Sequence, residues 1–371
     1  MKYPRPAYGD PAVPMVDSEI SYTPIKLKTP KFDTPITARE NFRRAAARDN
    51  PLWVPNSLTD FQSLGANDII AHHVRGMQVH SDFLRPATEN YDFLDWFNTE
   101  WEWVVSAGGA MLKPGTQLLA DICNWEKVVV FPDLDEWGLE EKATQYMKTY
   151  DPDKVMHYDI GRGLTERLVS LTGGYTDGML AMALEPEACR AFFERYADFV
   201  ISLFDRINSL YPLDMLTYHD DWGTERDTFF SEKMFEEQIL APTRRIIDHV
   251  RSKNVVFQMH SCGNVTRFAP YIADMGAEFM QIQRRAVDMP RLKRELGDKT
   301  GFMAGIEGLD GVAQVTDERL IAAIRETVDI YAPKGGVYFA LGGGDPKQLW
   351  TTLTELYAYS REFYDREQGR D

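Results

Sequence analysis

The sequence is poor in cysteine and lacks the close, even spacing of a disulfide framework. Only three cysteines occur among 371 residues, namely Cys123, Cys189 and Cys262, and they are widely separated. Disulfide-rich secreted domains pair their cysteines in even numbers, so this pattern favours a reducing compartment. We therefore expect a cytoplasmic protein whose thiols remain available for chemistry.

Long apolar runs and basic clusters are also missing. No uninterrupted apolar stretch is long enough to span a bilayer, and the opening residues MKYPRPAYGDPAVPMVD lack the apolar core of a secretory signal. The formal net charge of -16 would repel phosphate backbones, and no compact Lys/Arg cluster offsets it. The sequence predicts a protein that binds neither membrane nor nucleic acid.

The second half of the chain alternates short apolar runs with amphipathic helices. One helix is predicted over 186–210 and another after Thr316, which has Asp317 and Glu318 in its first turn. This alternation is typical of βαβ units around a parallel sheet. The predicted strands cover residues 214–218, 255–259, 279–283, 301–306 and 336–341.

These units predict an α/β fold of the (β/α)8 TIM-barrel type. A barrel of ~250 residues, preceded by an extended N-terminal arm over 1–36, accounts for the length of the chain. The single catalytic domain would cover 37–371, with a short helix near 38–48 and a first buried strand at 52–55. An open doubly wound sheet is the alternative, although no predicted strand is followed by a nucleotide-binding glycine motif.

One aromatic segment interrupts the first half of the chain. Residues 91–103, YDFLDWFNTEWEW, carry six aromatic residues and four charges, which argues against a membrane anchor. We expect an insertion that packs over the mouth of the barrel. The alternative is that some of these rings contact the substrate.

Polar residues follow the predicted strands, at the end where barrel enzymes place their active sites. His260 and Cys262 alternate along the end of one strand, so both side chains project to one face and form half of a zinc site. Soft sulfur with imidazole nitrogen selects zinc over hard cations. The alternative is an inert core thiol beside a hydrogen-bonded histidine.

A second group follows the strand at 214–218. His219, Asp220 and Asp221 crowd imidazole and carboxyl groups together, which would raise a carboxyl pKa and suit it to proton transfer. The alternative is a carboxylate that caps the next helix. Substrate contacts are predicted for Asp121 and Trp222.

These residues belong to motifs that resemble the uroporphyrinogen decarboxylase superfamily in order and spacing, from about residue 38 to the C-terminal helix. The motifs are Asn41-Phe42, Pro51-x-x-Val-Pro55, Tyr218-His-Asp-Asp-Trp-Gly-Thr-Glu225, Met234-Phe235 through Arg245-Ile-Ile-Asp248, and His260-Ser-Cys-Gly-Asn264. The resemblance implies the barrel fold already predicted.

The resemblance is strongest to the zinc-dependent methyltransferases of that superfamily, in which a His-x-Cys motif binds the metal. His260 and Cys262 match that motif, whereas the Arg-Gln-Ala-Gly-Arg motif of the metal-free decarboxylase is missing. Glycines 342–344 stand where those methyltransferases supply another zinc-binding cysteine. Either Glu307 or Asp345 then completes the zinc site, with His219 or Asp221, or the metal is absent.

The implied reaction moves a methyl group from a small methylated substrate, plausibly an aryl methyl ether, to the cobalamin of a separate corrinoid protein. None of the seven histidines lies two residues after an aspartate with glycine three further on, so the chain lacks a cobalt-binding motif common in corrinoid domains. The alternatives are a metal-free decarboxylase acting on a carboxylated ring and a barrel that binds a small molecule without turnover. A homodimer is left open.

Overall fold

The computed structural model describes residues 2–19, 26–64, 89–106, 109–310, 314–342 and 344–370. Its strands are β1 (Met15–Glu19), β2 (Lys26–Pro30), β3 (Phe61–Leu64), β4 (Tyr91–Leu94), β5 (Glu100–Val104), β6 (Gly109–Leu112), β7 (Val155–Ile160), β8 (Met215–His219), β9 (Val256–Ser261), β10 (Phe279–Ile282), β11 (Gly301–Ala304) and β12 (Val337–Phe339).

Twelve α-helical segments occur within the described residues. They are α1 (Ala38–Ala47), α2 (Trp125–Val128), α3 (Leu139–Tyr146), α4 (Leu164–Thr172), α5 (Tyr175–Leu184), α6 (Pro186–Leu210), α7 (Glu232–Met234), α8 (Leu240–Ser252), α9 (Ala269–Asp274), α10 (Met289–Leu296), α11 (Asp317–Tyr331) and α12 (Pro346–Glu367). Short 3-10 turns lie at Ile122–Asn124, Leu134–Trp137 and Met147–Thr149, and a π-helical turn at Phe235–Ile239 precedes α8.

Seven strands form one parallel sheet in the order β3, β7, β8, β9, β10, β11 and β12 within the described residues. The sheet curls until its two edges meet. Asn56, just before β3, bridges Phe339 of β12, and the backbone N–H of Phe339 donates to the carbonyl of Pro55 at 2.8 Å. A doubly wound sheet would reverse its strand order at one point. The sequential order and the joined edges therefore exclude that alternative and confirm a parallel α/β fold, while the eightfold repeat stays a prediction.

The predicted elements of the second half are present. All five predicted strands occur within two residues of their expected ends, and α6 has the predicted bounds. Thr316 caps α11, because its hydroxyl oxygen accepts the backbone N–H of Arg319 at 3.3 Å. Within the described residues, no helix combines the length and the apolar character needed to cross a lipid bilayer.

The described part of residues 2–36 lies along the C-terminal helix. β1 and β2 form an antiparallel hairpin, and the side chain of Arg5 binds Glu355 of α12 at 2.7 Å. The ring of Phe32 stacks on Tyr357 of the same helix with a centroid distance of 4.4 Å. The domain boundary at residue 36 stays a prediction.

The aromatic segment 91–103 contributes β4 and β5 to a three-stranded antiparallel sheet completed by β6. Arg167 of α4 binds Asp95 at 2.6 Å, and both side chains are almost fully buried. The guanidinium of Arg162, just after β7, lies over the ring of Trp101 at 4.3 Å. The β4–β6 sheet therefore packs at the carboxyl ends of the barrel strands, where the sequence analysis expected the insertion.

The interior of the barrel contains a layer of hydrogen-bonded polar side chains. Nδ1 of His157 lies 3.1 Å from the hydroxyl of Ser63, and its Nε2 lies 2.8 Å from the hydroxyl of Thr217. The hydroxyl of Tyr338 donates to Oε1 of Gln258 at 2.5 Å, and Thr217 approaches the same oxygen at 3.4 Å. These contacts satisfy polar groups that burial would otherwise destabilise.

The buried His157 predicts a pH-dependent stability. Burial lowers the pKa of His157 from 6.5 to about 4, so the unfolded chain takes up a proton before the folded protein does. The stabilisation is complete above pH 6.5 and is lost as the pH falls towards 4. At about 1.4 kcal/mol per pKa unit, the loss amounts to roughly 3 kcal/mol.

Urea unfolding of the wild type and of His157→Gln between pH 7.5 and pH 4.5 measures this contribution. Glutamine can still hydrogen-bond to Ser63 and Thr217 but does not titrate in this range. We expect a flatter dependence of the unfolding free energy on pH in the variant. Parallel curves for the two proteins would contradict the assignment.

Candidate functional site

Three potential metal ligands meet where β8 and β9 end. His260 lies on β9, Cys262 follows that strand, and Asp221 lies two residues beyond β8. Their ligand atoms all lie within 4.8 Å of one another, and among the described residues no other group of three such side chains converges in this way. The predicted same-face placement of His260 and Cys262 agrees with the structure.

The separations between these atoms suit a tetrahedral zinc ion. Nε2 of His260 lies 3.3 Å from Sγ of Cys262 and 3.5 Å from Oδ1 of Asp221. Zinc–ligand bonds of about 2.0–2.3 Å at tetrahedral angles separate two ligand atoms by roughly 3.3–3.6 Å. Three protein ligands of types N, S and O leave one position open, as in catalytic zinc sites.

The electrostatics of the group also favour a cation. Burial would raise the pKa of Asp221, but hydrogen bonds from His260 and from the backbone N–H of Cys262 lower it to about 2. Burial, together with the Asp221 carboxylate, raises the pKa of the Cys262 thiol to about 12. A thiolate is therefore unfavourable here unless a bound cation compensates its charge.

His219 lies beside this group and is held by a residue that the sequence analysis missed. It pairs with His260 in the register of β8 and β9, and the two rings stack with a centroid distance of 4.0 Å. Nε2 of His219 lies 2.9 Å from Oδ2 of the buried Asp159 on β7. The His219 side chain remains about one-fifth exposed, so a ligand can reach it.

Asp220 and Trp222, predicted as a catalytic and a substrate-binding residue, are both fully buried and hydrogen-bonded to each other. The fully buried carboxylate of Asp220 accepts hydrogen bonds from the backbone N–H groups of Thr165 and Glu166 at 3.0 and 3.1 Å, and from Nε1 of Trp222 at 2.9 Å. It therefore caps α4, and burial raises its pKa to about 6. Trp222 is also fully buried, with its ring against Phe235, and cannot contact a substrate directly.

Glu307, Asp121 and Asp345 likewise lie apart from the three-ligand group. The hydroxyl of Tyr331 donates to Oε1 of Glu307 at 2.8 Å, so a hydrogen bond within the protein holds this carboxylate. Asp121 is exposed and caps the 3-10 turn that begins at Ile122, and Asp345 caps α12. Asp221, which the sequence analysis also named as a possible ligand, lies with His260 and Cys262. Of the glycine run 342–344, residue 343 lies outside the described residues.

A glycine is required directly after Cys262. Gly263 has φ +84, and a Cβ atom there would lie 2.1 Å from the carbonyl oxygen of Gly223. Any side chain would push apart the two loops that carry Asp221 and Cys262. The motif His260-Ser-Cys-Gly-Asn264 therefore has a steric as well as a chemical basis.

The residues missed from the sequence are Asp159, Arg162 and Glu166, in and after β7. Glu166 accepts a hydrogen bond from Nη1 of Arg162, and both side chains are largely buried. The signal for β7 was the alternation of His157 and Asp159 with apolar residues before Gly-Arg-Gly. These polar residues point into the barrel, so the strand does not appear as a continuous apolar run.

The fold and this site together define a parallel barrel with potential metal ligands at the carboxyl ends of its strands. Residues 168–349 match the family model described as uroporphyrinogen decarboxylase (URO-D). This match confirms the relation to the uroporphyrinogen decarboxylase superfamily that the motifs predicted, and it points to an enzyme. A search of curated proteins found no match to the chain.

Among solved structures, the chain is similar to a methyltransferase from Methanosarcina mazei, with a TM-score of 0.55 at 14% identity over 89% of this chain and 99% of that chain. At this identity the likeness shows the fold alone. An L-ribulose 3-epimerase has a TM-score of 0.39 at 10% identity, covering 65% of this chain and 85% of that chain. A D-psicose 3-epimerase from Clostridium cellulolyticum H10 has a TM-score of 0.33 at 11% identity, covering 67% and 86%. These two likenesses are too weak to bear on function.

The neighbouring aspartates give a matched test of the site. Asp220→Asn should lower the unfolding free energy by about 1–3 kcal/mol, because its amide oxygen can still accept the helix N–H groups but its NH2 group then faces the Nε1–H of Trp222, whose hydrogen bond is lost. It should leave zinc affinity unchanged. Asp221→Asn should weaken zinc binding by about tenfold or more with a smaller effect on stability. Urea unfolding and zinc titration distinguish the two, and the reverse pattern would contradict the assignment.

Proposed function

We propose that the protein is a zinc-dependent methyltransferase that moves a methyl group from a small methylated substrate to cobalamin, free or carried by a corrinoid protein. The observation that carries the proposal is the convergence of Asp221, His260 and Cys262 at the mouth of a parallel barrel. The relation to the uroporphyrinogen decarboxylase superfamily supports it, since that family resemblance extends to the His-x-Cys motif.

The donor set fits zinc in type, spacing and charge. Asp221, His260 and Cys262 would hold the ion, and the open position would admit an oxygen atom of the substrate. When bound, zinc supplies Lewis acidity that makes this oxygen a better leaving group. The raised pKa of the Cys262 thiol means that zinc binding must release a proton.

The side chains around the ligands have separate tasks in this proposal. The methyl–oxygen bond breaks as the methyl carbon passes to nucleophilic cobalt(I) of the acceptor, and the oxygen keeps the bonding electron pair and takes up a proton. Asp159 binds Nε2 of His219, so His219 would exchange this proton at Nδ1. Asp220 is excluded from this task because it is fully buried in the cap of α4.

An aryl methyl ether is the methyl donor in this proposal, because an aromatic pair is attached to the loop that carries Asp221: the backbone N–H of Phe229 donates to the carbonyl of Trp222 at 2.8 Å. The rings of Tyr175 and Phe229 stack with a centroid distance of 4.6 Å. Tyr175 is 42% exposed, so its ring is accessible, and partial burial together with the nearby charges of Glu166 and Asp221 raises its pKa. Aromatic side chains favour offset or edge contacts with a flat ring.

The test combines metal content with turnover. Protein purified without added metal should contain about one zinc per chain. Phenol release from a panel of methoxylated aromatics should require cobalt(I) cobalamin and should coincide with the spectral change to methylcobalamin. Cys262→Ser should lose most of the zinc and of the activity, because it removes the thiolate ligand.

Cys123→Ser is the matched control, because that thiol is exposed and lies on a different loop. It should retain both zinc and activity. Phenol release without cobalamin would exclude methyl transfer to cobalt. Release of carbon dioxide from a carboxylated substrate by zinc-free protein would instead support the decarboxylase alternative.

A further inference from the structure

The first turn of α4 contacts both aspartates that follow β8. The hydroxyl of Thr165 donates to Oδ1 of Asp220 at 2.5 Å and approaches the carbonyl oxygen of Asp221 at 3.3 Å. The backbone N–H of Glu166, the next residue of this turn, donates to Oδ1 of Asp220 at 3.1 Å. The backbone position of Asp221 therefore depends on this helical turn.

The same turn is attached to the β4–β6 sheet. Arg162 donates to Glu166 through Nη1 and lies over the ring of Trp101 at 4.3 Å. One helical position beyond Glu166, Arg167 binds Asp95 at 2.6 Å, and neither side chain is more than 1% exposed. The first turn of α4 and the adjacent Arg162 therefore contact both the β4–β6 sheet and the loop that carries Asp221.

The Arg162–Glu166 pair is buried, with side-chain exposures of 11% and 5%. Removing Glu166 leaves the Arg162 charge without its partner in a poorly solvated position, and removing Arg162 leaves the Glu166 carboxyl group without its donor, so the remaining side chain and its neighbours must rearrange. Asp221 lies next to this pair and supplies one of three ligands. Residues that orient a metal ligand commonly change metal affinity about 10- to 100-fold when they are replaced.

We infer that Arg162 and Glu166 are positioning residues, which connect the β4–β6 sheet to Asp221 and thereby set the affinity of the metal site. The inference rests on the zinc site proposed above. Neither residue is a ligand, and neither needs to touch the substrate. The contacts of Arg162 and Glu166 would then both hold the β4–β6 sheet in place and keep Asp221 in position to bind the metal.

Zinc affinity, measured by competition with a chromophoric chelator, tests this inference. Glu166→Gln keeps the size of the side chain and removes its charge, and should weaken zinc binding about 10- to 100-fold. Arg162→Gln should have a similar effect. The double variant should be no weaker than either single variant, because both substitutions break the same link.

Replacement of zinc by cobalt(II) adds a spectroscopic signature. Cys262 still binds in both variants, so the thiolate-to-cobalt absorption band should persist. The ligand-field bands should change, because the geometry or occupancy of the Asp221 ligand changes. A general loss of stability would not alter these bands in the folded, metal-loaded protein.

Glu355→Gln is the matched control. Glu355 is 3% exposed and binds Arg5 and Arg325 at 2.7 Å each, so its replacement also breaks a buried ion pair. Its ion pair joins α12 to the N-terminal residues and to α11 rather than to the metal ligands. We expect a lower unfolding free energy and wild-type zinc affinity.

Wild-type zinc affinity and cobalt spectra in Glu166→Gln and Arg162→Gln would overturn the inference. If either variant fails to fold, Trp101→Leu replaces it, since this variant leaves both charges in place. Unchanged zinc affinity in Trp101→Leu would then overturn the connection to the β4–β6 sheet. A wild-type protein that binds no zinc would instead refute the proposed function, so the two failures are distinguishable.

Discussion

The parallel pairing of β8 with β9 is the constraint on which the site depends. The register places His219 opposite His260, and it continues past the strand ends where the backbone N–H of Asp220 donates to the carbonyl of His260 at 3.0 Å. The backbone N–H of Cys262 then donates to Asp221 at 2.7 Å. A shift of one residue would turn His260 away from the barrel interior and separate the three donors.

Burial around these strands determines which polar groups can be chemically active. Asp220 and Asp221 are neighbours in sequence, yet one is enclosed by α4 and Trp222 while the other faces His260 and Cys262. Adjacent side chains at a strand end point in opposite directions, so only one of the pair can face the mouth. The same geometry gives Asp220 a structural role and Asp221 a place among the potential ligands.

Much of the fold was predictable because its second half repeats one pattern. The strands from β8 to β12 are short apolar runs, the helices α6 and α11 have clear apolar periodicity, and Thr316 caps α11. β7 was missed because His157 and Asp159 point into a polar interior layer. Asn56 could not be assigned as a bridge from sequence, since a single pairing leaves no periodic pattern.

The sequence predicted the pair His260 and Cys262 as potential metal ligands, but it left several candidates for the remaining ligands. His260 and Cys262 share a face whatever the rest of the fold, because alternation along a strand is local. Asp221 was only one of several candidates for a third ligand, because its approach to His260 and Cys262 depends on how two loops meet around Gly263. Glu307 was a reasonable candidate by position, but Tyr331 holds its carboxylate elsewhere.

The central claim is that Asp221, His260 and Cys262 bind one metal ion together. X-ray diffraction from crystals of the purified protein, recorded on both sides of the zinc absorption edge, tests it most directly. The account predicts one anomalous peak between these three side chains, with bonds of about 2.0–2.3 Å and an open fourth position. Crystals grown with zinc that show no peak there, or a peak bound by other residues, would contradict it.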